Sequence, residues 1–493
     1  MSTATGVARG LAVALAAAAL TVGATRATGS LQLAAPHPAP SLPASADVLL
    51  DDTTLVCPGQ ERLGAVGLRD VSGKVTTAVV AAPAEALGGL AGTSPRETGS
   101  LRLASGPTVA PIATGSGRDN LVSGESSTAA AVLASGAGAI APGLVATQVW
   151  QRRGDDDRGL ALTPCQPSSS DAWLVGGGGG PSRTERVIVT NPGANAVSVS
   201  FDVYGASGPV AEAQGRSVSV APHAREVVSL DALAPDESRP VVHVSATGGV
   251  VAAVLDDAWI DGATARGIDD ATRSASPGTD LVIAGVDAAG AASVRVANPG
   301  GDEALVQVRV LTTSGPVQPA GLRAVRVPAG STVDVPLTLP AGPAGLRLTS
   351  DLPVVAGAWV ERRATSGSDR MGDFGWAPAT PALQGLGGLV VPGLERSGAT
   401  RTLLLAAGAG GTVAITTGSG AGLRTTTTTV GADSAASVPL GDADRVWVRS
   451  LSGDVRAAVT VVGAADGVPW FSVAAITDAP LTALSVPVRQ VRN

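Results

Sequence analysis

Ser293-Val294-Arg295-Val296 alternates polar and apolar residues, Asn298-Pro299-Gly300 interrupts it, and Ala304-Leu305-Val306-Gln307-Val308-Arg309-Val310 alternates again. Gly315-Pro316 breaks the chain once more, and further short apolar runs follow at 324–327, 333–337, 346–348 and 354–360. Alternation with period two, punctuated by Gly and Pro about every ten residues, is the pattern of short half-buried strands. Seven or so such strands in about 100 residues describe an immunoglobulin-like β-sandwich.

The same pattern recurs along the chain. Leu174-Val175, Leu281-Val282 and Leu389-Val390 are spaced by about 107 residues, as are Asn191-Pro192-Gly193 and Asn298-Pro299-Gly300, and Gly208-Pro209-Val210 and Gly315-Pro316-Val317. Shared offsets at turns and apolar runs imply one unit copied in series. The expected organisation is all-β: β-sandwich modules at 171–278, 279–386 and 387–493, and a divergent β module at 47–166. A β-propeller is the alternative. It ranks second because two blades of about 50 residues per repeat would be needed and no half-repeat is visible. Each Asn-Pro-Gly is expected to form a tight type II turn, with Gly193 or Gly300 in the left-handed region.

Composition sets outer bounds. A chain of 493 residues exceeds one core and suggests about three to five domains. Its apolar content is mostly Ala and Val, with 2% aromatic residues, which suits thin regular sheets. The formal charge is −7 and no basic stripe is visible, so nucleic acid is excluded as a partner.

Arg9 followed by the apolar stretch 11–24, with no acidic residue before Asp47, reads as an export signal or N-terminal anchor over 1–27. The apolar stretch is short for a bilayer span, so cleavage is favoured. Residues 28–46, rich in Pro, Ala and Ser, read as a tether. Contact with a membrane is expected only through an uncleaved N-terminus. In an exported chain the two cysteines, Cys57 and Cys165, are expected to be bonded. Closing a loop of that length stabilises by roughly 4 to 5 kcal/mol in the chain-entropy model.

The chemistry of known catalytic motifs is missing. Gly176 to Gly180 is followed by Pro181-Ser182-Arg183, without the Gly-Lys-Ser/Thr of a phosphate loop. It therefore reads as an inter-strand loop. The three histidines, His37, His223 and His243, show no zinc-ligand spacing. No Gly-x-Ser-x-Gly elbow is present. The acidic groups Asp155-Asp156-Asp157, Asp256-Asp257 and Asp269-Asp270 are expected as solvated loop charge at module ends, with calcium bridging the sharper alternative. Trp150, Trp259 and Trp359 each end a late Val/Ala strand. Core packing is their plain reading, and a glycan-stacking platform the sharper one.

Trp173-Leu174-Val175-Gly176, the Asn191-Pro192-Gly193 turn, Gly208-Pro209-Val210 and Val354-Val355-Ala356 resemble a family of exported proteins from high-GC Gram-positive bacteria, known as a domain of unknown function. Members are often encoded near envelope glycosyltransferases, which implies an envelope setting and transfers no catalytic residue. The resulting expectation is a non-enzymatic cell-envelope protein, a spacer or scaffold without cofactor or metal, whose partner is an envelope protein or glycan. A carbohydrate-binding array is the first alternative and an envelope glycan hydrolase the second.

Overall fold

The computed structural model describes residues 46–485, apart from 90–97, 119, 154–157, 180–182, 288–289, 320–321, 341, 367–369, 393, 395–397 and 421, together with 11–12 and 14–16. These residues belong to two compact units, one spanning 49–483 and the other comprising Met1–Val48 with Leu484–Asn493. Apart from helical residues at 11–12 and 14–16, and Ala46 at the start of the strand Ala46–Leu49, the leader expected over 1–27 and the tether expected over 28–46 lie outside the described residues.

The larger unit is all-β, with two one-turn helices, Ala84–Leu87 and Leu230–Leu233. Among the described residues its strands form four sets that share eight strand segments paired in the same order, to which the second set adds Gly208–Pro209 and Arg273–Ser274 and the third Gly315–Val317. In the second set, one sheet runs Arg225–Ser229, Arg183–Thr190, Ala252–Asp261, Thr264–Ala271, and the other places Ser217–Val220, Val197–Gly205, Val241–Thr247 and Asp171–Val175 side by side. The first set repeats this with Val122–Ser126, Val75–Val80, Val145–Arg153, Arg158–Pro164, and with Ala110–Ser116, Gly99–Ser105, Val132–Gly138, Asp52–Cys57. In the third set the 21-residue strand Pro343–Arg363 serves both sheets. In the fourth, Thr400–Ser419 and Arg445–Ala465 both do so. Where the second and third sets turn at Asn-Pro-Gly, the fourth runs on through a register shift between Ala407 and Gly411.

The last strand of each set is innermost. Arg158–Pro164, Thr264–Ala271, Gly372–Pro378 and Val468–Ile476 pack first on second, second on third, third on fourth and fourth on first, closing a cycle. Each set thus contributes a four-stranded blade to a ring, with the second sheet of the set outside it. Both readings of the sequence meet here: the paired sheets of a sandwich and the radial blades of a propeller. The half-repeat is unnecessary because a blade is one of the two sheets of each set.

Burial follows this geometry. Outer-sheet strands such as Val197–Gly205 and Ala304–Thr312 alternate buried and exposed positions, as a one-sided sheet must. Inner strands do not: all seven residues of Gly372–Pro378 are buried. The cores also cross between sets. Phe374 and Trp376 of the third set pack into the core of the second, and Leu160 and Leu162 of the first pack into that of the fourth.

The Asn-Pro-Gly expectation needs correction. Neither Gly193 nor Gly300 has positive φ, so neither sits in a type II turn. The conformation is held by the asparagine instead. Asn191 Oδ1 accepts the Gly193 N–H at 2.8 Å while its Nδ2 donates to the Asn195 and Val220 carbonyls at 2.7 and 3.0 Å. Asn298 repeats this with Gly300, Asp302 and Val327 at 3.0, 2.7 and 3.0 Å. Both side chains are fully buried, and the amide offers an acceptor and two donors at one point.

Candidate functional site at the ring axis and its end

One carboxylate joins the four inner strands. Asp373 Oδ2 accepts the backbone N–H of Leu160 and of Phe471, each at 2.9 Å, and Oδ1 accepts those of Ile268 and Phe374, each at 3.1 Å. Leu160, Ile268, Phe374 and Phe471 belong to the first, second, third and fourth inner strands. The approach requires bare backbone: a Cβ on Gly267 would lie 2.3 Å from Asp373 Oδ1 and 2.6 Å from its Cα. Burial pushes the Asp373 carboxyl well above its usual range, against the opposing pull of the four N–H groups. A second layer follows, where Asp269 accepts the Trp376 N–H at 2.7 Å and the Ser472 hydroxyl at 3.0 Å. Ser472 Oγ in turn accepts the Leu162 N–H at 3.0 Å.

Charged side chains of the second set also reach into its neighbours. Asp257 is gripped by Arg183 through Nε at 2.7 Å and Nη2 at 2.6 Å, and accepts Trp376 Nε1–H at 2.8 Å. Asp256 accepts from Arg62 at 2.8 Å and Arg186 at 3.2 Å. Arg225 donates to the carbonyls of Pro58, Gln60 and Leu63, and Asp270 accepts from the Thr163 hydroxyl. These contacts overturn the expectation of solvated loop charge. Asp256 and Asp257 lie in register opposite Asp270 and Asp269 within paired strands, and none of the four is more than 4% exposed. These carboxyls belong to the seams between blades. Asp155, Asp156 and Asp157 lie outside the described residues. No group of acidic, His or Cys side chains able to hold a metal occurs among the described residues.

Cys57 and Cys165 form a disulfide with S–S 2.03 Å. Trp150 is buried at 1% exposure among Val75, Ala161, Ala258 and Ile268, which leaves no face for a sugar ring. Trp259 and Trp359 are half-buried and tilted against each other with centroids 6.5 Å apart, and the Arg183 guanidinium lies over Trp259 at 5.4 Å. In the glycine run, Gly179 N–H donates to Glu185 Oε1 at 3.2 Å, Gly178 N–H donates to the same oxygen, and Gly177 N–H donates to Asp257 at 3.2 Å. The donors a bound anion would need are engaged by the protein's own carboxylates. Desolvation, with Asp257 nearby, raises Glu185 to about 7.

His37 lies outside the described residues, and His223 sits in a turn with φ 52°. His243 stacks on Trp173 at 4.2 Å, with Nε2 2.6 Å from Asp171 and Nδ1 3.5 Å from Asp202. Ser245 Oγ is 3.5 Å from the same Nε2. A hydrolytic triad needs the acid on one ring nitrogen and the nucleophile on the other, whereas here Asp171 holds the nitrogen that Ser245 would need.

Sequence reasoning did not reach the end of the ring where the inner strands leave. A cavity of about 360 Å³ there is lined by Ser169, Asp171, Arg273, Ser276, Thr477 and Asp478, together with Pro381 and Ala382. The lining residues come from the segments that follow all four inner strands.

These features define a class: a four-bladed all-β ring whose sets are joined by buried carboxylates, with a polar recess at one end. The chain belongs to a family of unknown function, DUF5719, whose model matches residues 121–441. No curated protein matches the sequence. Among solved structures it is similar to the viral chemokine binding protein R17 encoded by rodent gammaherpesvirus Peru, at 7% identity over 65% of this chain and 89% of that one, with TM-score 0.16. It is also similar to the tetra-tandem repeat in the extending region of a large adhesion protein, at 15% identity over 79% and 93%, with TM-score 0.10. A third similarity is to the pilus adhesin SpaC from Lactobacillus rhamnosus GG, at 9% identity over 83% and 57%, with TM-score 0.10.

Proposed function

We propose that this chain is a non-enzymatic protein exported to the cell envelope of a high-GC Gram-positive bacterium, where it acts as a rigid spacer or interaction scaffold. The observation that carries this reading is the engagement of Asp373 with all four inner strands. A carboxylate that accepts four backbone N–H groups is held for architecture, with no proton-transfer role facing solvent. The disulfide is compatible with an oxidising compartment. No helix among the described residues is long and apolar enough to cross a membrane.

The test is protease shaving of intact cells expressing the full chain, combined with assay of the purified chain on envelope polysaccharide. The reading expects loss of the full-length chain on shaving and no release of reducing ends. Retention of the chain in the cytoplasm, or release of reducing ends that scales with its concentration, overturns it.

A further inference from the structure

The recess at the end of the ring holds a guanidinium without a protein partner among the described residues. Arg273 is half-buried and lines the cavity, yet its side chain makes no hydrogen bond or ion pair among the described residues. Burial lowers its pKa, and Asp171 acts on it only through its longer-range field. Displacing water from a cation is costly unless acceptors replace it, so a ligand that entered the recess would have to supply acceptors to Arg273.

The surrounding groups decide its chemistry. Two carboxylates share the recess. Asp171 Oδ1 lies 2.6 Å from His243 Nε2, and Asp478 accepts the backbone N–H groups of Gln384 and Gly385 at 3.0 Å. An anion meets Asp171 and Asp478, and a cation meets Arg273. A neutral hydroxyl both accepts and donates, so adjacent hydroxyls can accept from the guanidinium fork and donate to the remaining carboxylate lone pairs. Ser169, Ser276 and Thr477 also line the recess, and about 360 Å³ admits one sugar ring.

We propose that this recess is a binding site for a neutral saccharide, with the Arg273 guanidinium as the donor to vicinal hydroxyls and Asp171 and Asp478 as acceptors. It adds a ligand to the scaffold reading and is independent of it: envelope placement could fail while the recess still bound sugar, and the reverse.

The test is calorimetric titration of the full chain with the methyl glycosides of mannose, galactose, glucose and arabinose, alongside glucuronate and glycine betaine. At least one neutral glycoside should saturate, and Arg273→Ala should weaken it at least about tenfold with an unchanged melting midpoint. Should that variant fold poorly, the wild-type chain gives the answer. Phenylglyoxal modification of Arg273, read by mass spectrometry, should slow when the glycoside is saturating. Absence of binding by every neutral glycoside, tighter binding of glucuronate or betaine, or undiminished Arg273 modification under saturation overturns the proposal.

Discussion

Asp373 Oδ2 accepts the Leu160 backbone N–H at 2.9 Å, joining strands 213 positions apart in sequence. Through this contact the third strand set closes on the first, and the same oxygen also accepts from the fourth. Stability of the ring therefore rests on long-range backbone contacts to one side chain, in addition to the cores.

Asp373→Ala should leave four buried N–H groups without an acceptor. At about 1 kcal/mol or more for each orphaned donor, the loss is at least about 4 kcal/mol. Asp373→Asn keeps one acceptor oxygen and should lose about 2 kcal/mol. Urea denaturation of both variants checks the order, with alanine worse than asparagine.

Stability should fall as pH rises from about 5 to 8. Glu185 and Asp270 are both raised to about 7, chiefly by desolvation, from reference values of 4.5 and 3.8. In that window the folded chain holds protons that the unfolded chain has released, so their contribution is complete at low pH and is lost as pH passes through about 7. Asp280, lowered by its hydrogen bond from Arg347, acts oppositely and only below its ordinary range. Melting midpoints measured between pH 5 and 8 should decline, and Glu185→Gln should flatten the decline. A flat profile over that window would show that these carboxyls are already ionised in the folded chain.

Asn191→Ala and Asn298→Ala should each destabilise by about 2 to 4 kcal/mol, since one acceptor and two donors to buried backbone disappear together. Valine at Gly193 or Gly300 should cost less, because neither glycine has positive φ. Comparing the four variants by thermal unfolding checks this order.

Replacing Cys57 and Cys165 with alanine should destabilise by roughly 4 to 5 kcal/mol if constraint of the unfolded loop dominates. Denaturation of the double variant beside the oxidised parent measures it. A difference below about 1 kcal/mol would show that the loop is already constrained by the contacts of the first set.

The outer strands were legible in the sequence because their faces differ. Val199, Phe201 and Val203 are buried between exposed Ser200 and Asp202, and the same alternation runs through 304–310. The inner strands were not legible. Gly372–Pro378 is buried on both faces, so Asp373 stands in a run without alternation that marks it neither as core nor as surface. The buried acidic pairs were misplaced for the same reason. Asp256 and Asp270 acquire their partners Arg62, Arg186 and Thr163 from distant segments, and one chain read alone holds no record of that pairing. Arg273 carried no local signal either, since the recess it lines is assembled from four separated segments.

Amide hydrogen exchange on the full chain tests most directly whether the four sets form one closed ring. Peptides covering Leu160, Ile268, Phe374 and Phe471 should share the highest protection and open together. Asp373→Asn should lower that protection in all four at once. Exchange of one inner strand well before the others, with the remaining three unaffected by Asp373→Asn, would show four independently stable modules in series and contradict the closed ring.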